Sequence, residues 1–391
     1  MKGGYLIRSL TRGSFIGLFL FGFIYTIVGP ALPFLIEEFN FTLTQAGSIY
    51  SLRGFGMILA VLLAGLISDL IGYRKVILAG IVLWTLGLII FSVTNSTFLL
   101  LAIWPLIGLG FGAIDTGLNA LVAETNKDKG SALNRLHFWF GAGAFSGPLF
   151  AGFVLSYFHW RTLFFISAGL VIVYGILMYR LDYPPIPKTA VSPWKNIRHV
   201  WSLWLLLLGV VTFGYTGIST TFMGWINTYL TQTLTYSTWL ASSILAFYSI
   251  GLAVGRLLTS FVAERYSYEK ILAISAALSF CTAILSVYSL HPVWVAVGFG
   301  LTGFFFSALL PLSLAIGAKR FPMQTGTVTG FLISFGSLGR TILPVSVGFV
   351  ADNSSLILGL RSILLLVLAI FLASYTLLVM AKRDQGDKLQ I

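Results

Sequence analysis

Twelve apolar runs, each about 20 residues or longer and nearly free of charge, follow one another along this chain. About 20 such residues let a helix cross the hydrocarbon core of a bilayer. In lipid a lone segment must satisfy its own backbone, which makes each run a helix. The runs predict spans at 14–36, 45–68, 76–94, 98–122, 132–157, 160–180, 200–229, 236–262, 271–289, 292–317, 325–349 and 358–381. The longest connection, about 181–199, leaves no room for a soluble domain. Composition agrees: the 391 residues are 57% hydrophobic and 9% charged, against about 25% charged in a soluble domain. A soluble enzyme, a nucleic-acid-binding domain and a disordered chain are excluded, and no nucleic acid is expected as a partner. The net charge of +12 forms no patch, because Lys and Arg sit in short clusters between the runs. The single cysteine, Cys281, lies in an apolar run and rules out a disulfide framework or a zinc site. The first run lacks a small-residue cleavage site and is read as a retained helix.

Those basic clusters orient the chain. On alternate sides of the spans the Lys and Arg divide 19 to 2, with Arg161 and Arg361 the exceptions and Arg53, Arg256 and Arg340 inside spans. Basic residues stay on the cytoplasmic side. Both termini are therefore expected in the cytoplasm, for a multi-pass protein of a bacterial cytoplasmic membrane.

The most polar and proline-rich stretch, Asp182 to Val200, divides the spans six and six. The expected organisation is an N-terminal bundle (1–181), a cytoplasmic linker (182–199) and a C-terminal bundle (200–391). The halves echo each other. Span 2 carries Gly56, Ala60, Gly65 and Asp69, and span 8 carries Gly251, Gly255, Ser260 and Glu264, both at spacing 4, 5, 4. Small residues so spaced let helices approach closely in lipid. The fold class is all-α membrane: twelve transmembrane helices in two pseudo-symmetric six-helix bundles.

After span 2 comes Gly65-Leu-Ile-Ser-Asp69-Leu-Ile-Gly72-Tyr-Arg74-Lys75. Asp69 suits the end of a helix facing a neighbouring helix N-terminus, Gly72 permits a tight turn, and the basic pair holds the loop inside. This element resembles the G-x-x-x-D-x-x-G-x-R-K loop of the major facilitator superfamily, in the place where that family has it. The resemblance covers the whole chain. It implies a secondary carrier in which Gly65, Asp69, Gly72 and Arg74 form a conformational latch.

Ionisable residues inside spans are costly and usually functional. Here they are Arg53, Asp115, His137, Arg256 and Arg340. Counting from the span ends at about 1.5 Å per residue places Asp115, His137 and Arg256 at one level, and Arg53 and Arg340 at another nearer the outer face. Asp115 is the one acid well inside a span. Its charged form is costly there, which suits it to carry a proton; the alternative is a structural pair with Arg256. The arginines fit ion pairs between the halves, helix-end contacts, or direct binding of an anionic substrate.

Gly110-Phe-Gly-Ala-Ile-Asp115-Thr-Gly-Leu-Asn119 and Leu136-His-Phe-Trp-Phe-Gly141-Ala-Gly-Ala-Phe-Ser-Gly147-Pro148 resemble the fucose/glucose–galactose sugar symporter branch of that superfamily. Its fucose-type members carry a second acid in span 1, where this chain has Gly29, so coupling through two carboxylates is not expected. A sugar site needs hydrogen-bonding groups beside aromatic faces. The resemblance places the pocket on spans 1, 4, 7 and 10. Tyr25, Trp104, Asp115, Asn119, Tyr215, Trp225, Asn227 and Tyr229 are the candidates from the first three, with His137 and Trp139 reaching in from span 5. Each aromatic competes with a lipid-facing anchor role. The amides are better placed, because an amide facing lipid is unfavourable.

The expected function is alternating-access transport of a small polar solute, a sugar, by proton symport through Asp115, with Na+ left open as the coupling ion. A proton-coupled drug efflux antiporter and an organic-anion transporter are the alternatives. Gly143-x-x-x-Gly147-Pro148 resembles the antiporters' span 5 element, but their span 4 arginine is missing. No nucleotide motif, zinc pair or nucleophile–base set is present, and the four histidines are scattered. The chain is read as a monomer in the lipid bilayer, not an enzyme, and without a cofactor.

Overall fold

The computed structural model describes residues 2–126, 128–183, 202–263 and 265–388. Among them are twelve helical segments long and apolar enough to cross a membrane. Each falls on one of the twelve apolar runs. Eight spans are single helices: Leu43–Ile71, Tyr73–Val93, Lys129–Tyr157, Trp160–Arg180, Thr238–Val262, Tyr268–Tyr288, Thr325–Asn353 and Leu356–Lys388.

Four spans are composite. Span 1 is Lys2–Thr26 followed by Val28–Phe39, span 4 is Thr97–Ala102 followed by Trp104–Thr125, and span 10 is Pro292–Phe306 followed by Leu309–Arg320. The breaks have one cause. Pro30, Pro105 and Pro311 lack an N–H and press their rings on the carbonyl four residues back, at Thr26, Leu101 and Ser307. Pro148 and Pro344 sit inside helices that continue through them. Span 7, Leu203–Thr228, runs on into a π-helical turn, Tyr229–Thr233; such turns often mark functional sites.

The internal repeat is physical. A Cβ on Gly56 of span 2 would overlap the carbonyl oxygen of Pro105, and one on Gly251 of span 8 would overlap that of Gly300. Conversely, a Cβ on Gly108 would overlap the carbonyl of Arg53, and one on Gly303 that of Tyr248. All four correspondences keep one sequence offset, the offset that relates Gly56 to Gly251 in the sequence. Span 2 meets span 4 as span 8 meets span 10, backbone against backbone, because glycine leaves no side chain between them.

By backbone proximity the chain divides into two units: Met1–Ala190 with Ile226–Ala246, and Val191–Trp225 with Phe247–Ile391. Most of the expected linker, from 184 to 199, lies outside the described residues.

In the first unit a charged cluster ties the end of span 1 to two loops. Glu38 accepts from Arg161 Nη1 at 2.6 Å and from Trp160 Nε1 at 2.5 Å, and His159 Nε2 lies 3.1 Å from it. Arg161 Nη2 donates to Asn95 Oδ1 at 2.6 Å and to the Thr94 carbonyl at 3.2 Å. The guanidinium of Arg361, in the second unit, lies 4.0 Å from the centre of the Tyr288 ring. Both basic residues that break the charge bias thus have a local partner.

Candidate functional site

In the first unit span 2 carries a buried arginine. Arg53 is 1% exposed. Its Nη1 donates to the Tyr25 carbonyl at 3.1 Å. Its guanidinium carbon lies 3.7 Å from the centre of the Tyr25 ring, 5.2 Å from that of Tyr50 and 6.0 Å from that of Phe111. Arg53 therefore occupies a cage of three aromatic faces, an arrangement that attracts a cation more strongly when water is absent. Its Nη2 is buried and has no hydrogen-bond partner among the described residues.

Phe21 and Phe140 extend the cage. Phe21 lies 4.8 Å from Phe111 and 5.3 Å from Phe140, and Tyr25 lies 6.0 Å from Phe111, centre to centre. Phe111, Phe140 and Tyr50 are members of this cluster that sequence reasoning missed. A signal existed for two of them: Phe111 is four residues before Asp115, and Tyr50 is three before Arg53, each on the same helix face as its partner.

Asp115 lies one turn beyond Phe111 on span 4 and is half-buried. Asn119 Nδ2 donates to Asp115 Oδ1 at 2.8 Å and to the Asp115 backbone carbonyl at 2.8 Å. The acid–Thr–x–x–Asn spacing thus puts carboxyl and amide together on one helix face. On span 5, His137 is exposed and Trp139 is 40% exposed, the latter lying against Phe15 and Phe19 of span 1. Phe140, next to Trp139, is the residue that reaches Tyr25.

The second unit holds another polar group. Arg256 of span 8 is half-buried and donates from Nη2 to the Tyr215 hydroxyl at 2.8 Å. Tyr215 stacks on Phe306 at 6.1 Å. Tyr248, which takes the place of Arg53 in the repeat, donates to Ser219 Oγ at 3.1 Å. Trp225 is fully buried, its Nε1 donating to the Pro344 carbonyl at 3.1 Å. Arg340 is half-buried in span 11, and its Nε has no partner among the described residues. Asp115 belongs to the first unit and Arg256 to the second.

Asn227 groups with the first unit. It is fully buried, and its Nδ2 donates to Ser242 Oγ at 3.0 Å while its Oδ1 lacks a partner among the described residues.

At the loop after span 2, Gly72 adopts φ +85°, a conformation that favours glycine, and it starts the helix of span 3. Arg74 Nη2 donates to the Tyr179 carbonyl at 2.9 Å, and Tyr73 donates to Glu124 at 2.8 Å. Beside Arg74, burial pushes the Tyr183 phenol up to about 12, with the guanidinium opposing the shift. The Gly65 and Asp69 positions lie outside the residues whose side chains are described.

Twelve membrane-crossing helical segments among the described residues, in a six-plus-six repeat with a few polar groups held inside the spans, define a multi-pass membrane transporter. The chain belongs to the Major Facilitator Superfamily, whose family model matches residues 14–344 and 210–390. It is 22% identical to the glucose/mannose transporter GlcP of Bacillus subtilis, over 90% of each chain. It is 23% identical to the cis,cis-muconate transport protein of Acinetobacter baylyi, over 87% of this chain and 89% of that one. In structure it resembles the nucleoside transporter NupG, with a TM-score of 0.76 and 15% identity, over 96% of this chain and 99% of that one. That likeness shows the fold.

Proposed function

We propose that this protein carries a sugar or a sugar-like polar solute by alternating access, in symport with protons, as a monomer with both termini in the cytoplasm. The observation that supports it is Asp115 on span 4, half-buried and hydrogen-bonded to Asn119 at 2.8 Å. A carboxyl at that depth is costly when charged, and such groups serve as proton relays in carriers. Asn119 provides a neutral amide beside it, a group able to exchange hydrogen bonds with hydroxyls. Similarity to a glucose/mannose transporter over 90% of the chain favours a sugar over a drug.

The test is uptake of a labelled hexose panel into proteoliposomes under an inward proton gradient, with and without sodium. Accumulation of one sugar, abolished by a protonophore and indifferent to sodium, is the expected result. Dependence on sodium instead would replace the coupling ion. No accumulation of any hexose would remove the neutral-sugar reading.

The loop after span 2 gives a separate expectation. Asp69→Asn should lower turnover several-fold while leaving the order of substrate preference unchanged, since a latch governs interconversion and not recognition. Competition profiles of variant and wild type would check this; a changed preference would remove the latch role.

A further inference from the structure

Arg53 has no carboxylate partner among the described residues. Its partners are one peptide carbonyl at 3.1 Å and three aromatic rings. A buried cation in this state is costly, because neither the carbonyl nor the rings carry a full negative charge.

The repeat removes the packing explanation. Tyr248 stands where Arg53 stands, with its carbonyl against Gly303 as that of Arg53 is against Gly108. There a neutral phenol, donating to Ser219 at 3.1 Å, fills the position. The helix crossing needs bulk and one hydrogen bond at this place, not a charge. Inside the spans the sequence sets three arginines, Arg53, Arg256 and Arg340, against one acid, Asp115. Charged residues inside spans mark substrate and ion pathways, and an excess of cations there fits an anionic cargo.

We propose that Arg53 is an anion subsite and that its free Nη2 receives a carboxylate of the cargo, which makes the cargo a hydroxylated acid of the aldonate or uronate type. The inference rests on the reading of this chain as a carrier of a small polar solute and narrows its substrate class. With Nη1 engaged by the Tyr25 carbonyl, the buried Nη2 is left without a hydrogen-bond partner among the described residues. Aromatic walls on three sides supply no second cation, and a phosphate dianion costs more to take out of water than a singly charged carboxylate, so they disfavour the phosphate. Tyr25, the nearest ring, covers the guanidinium and must turn aside for the carboxylate to reach it.

The experiment uses the purified full chain in detergent, titrated with gluconate, glucuronate, glucose and glucose 6-phosphate at constant ionic strength, with thermal unfolding as the readout. Gluconate or glucuronate should raise the unfolding temperature, with glucose needing at least about tenfold higher concentration for the same shift. In Arg53→Gln that preference should vanish through loss of the acid response. Stabilisation by glucose equal to that by the acids would overturn the proposal, as would a preference for the phosphate, an acid response unchanged in Arg53→Gln, or no response to any of the four. If Arg53→Gln does not fold, Arg53→Lys replaces it, since lysine keeps the charge but loses the planar fork. Acid affinity lowered tenfold there supports the subsite, and unchanged affinity overturns it. Proton-driven uptake of the same four compounds separates the two readings. Glucose accumulation without an acid response leaves the carrier standing and removes the subsite. Acid binding without proton-driven uptake keeps the subsite and removes proton coupling.

Discussion

Asp115→Asn is expected to abolish uphill, proton-driven uptake while leaving counterflow exchange partly intact. The substitution keeps the shape of the side chain and an oxygen able to accept from Asn119, whose Nδ2 lies 2.8 Å from Asp115 Oδ1. It removes the negative charge and, with it, the ability to take up and release a proton. With one proton per solute, a gradient of two pH units supports about a hundredfold accumulation, since each tenfold ratio corresponds to about 1.4 kcal/mol. In the variant the ratio should fall to about one, as expected when the coupling energy is gone. The measurement is the steady-state accumulation ratio beside the counterflow rate in the same vesicles. Wild-type accumulation in the variant would remove Asp115 from coupling. Failure of the variant to fold would assign it to a structural pair, with Arg256 the residue to test next.

The second large effect concerns the helix crossings. Gly108→Ala and Gly303→Ala should each destabilise the protein, because the new methyl would overlap the carbonyl oxygens of Arg53 and Tyr248 respectively. Both obstacles are backbone, so relief requires a helix to move. Overpacking of this kind costs about 1–3 kcal/mol, which exceeds the gain of about 1 kcal/mol that alanine brings to a helix interior. Gly169→Ala is the control. Nothing lies within 4 Å of a Cβ there, so the propensity gain should appear unopposed. Thermal unfolding of the three variants in one detergent checks the order. Equal stability for Gly108→Ala and Gly169→Ala would mean that the crossing is not tight.

Much of this fold was legible in the residues, for a definite reason. A bilayer removes the backbone's alternatives, so an apolar run of sufficient length must be a helix. All twelve runs are helices, with ends displaced by several residues at most in the shorter spans. Less legible were the breaks. Pro30 and Pro105 interrupt their helices, whereas Pro148 and Pro344 do not. Sequence marks each proline as a weak point, but the neighbouring helices decide whether the chain bends or breaks there.

The site divides in the same way. The Asp115–Asn119 contact could be read from spacing, because both residues belong to one helix and four positions bring them to one face. The surroundings of Arg53 could not be. Its cage is made by spans 1, 2 and 4, and which rings meet there depends on how those helices rotate and approach. Likewise Trp139, chosen for its chemistry, lies against Phe15 and Phe19, while Phe140 beside it reaches Tyr25. One residue along a helix turns a side chain by about 100°, so adjacent aromatics differ in role for a reason that spacing alone does not reveal.

By itself the sequence determined the number of spans, the six-plus-six repeat, the membrane setting and the one acid well inside a span. Hydrophobicity, loop charge and local spacing act within a segment and need no partner. Tertiary structure decided which glycines bring backbones together and which rings surround Arg53. It also decided that Arg53 donates to the Tyr25 carbonyl while Tyr248, at the same position in the repeat, donates to Ser219. Those outcomes depend on helices far apart in the chain meeting at a fixed rotation, and only packing sets that rotation.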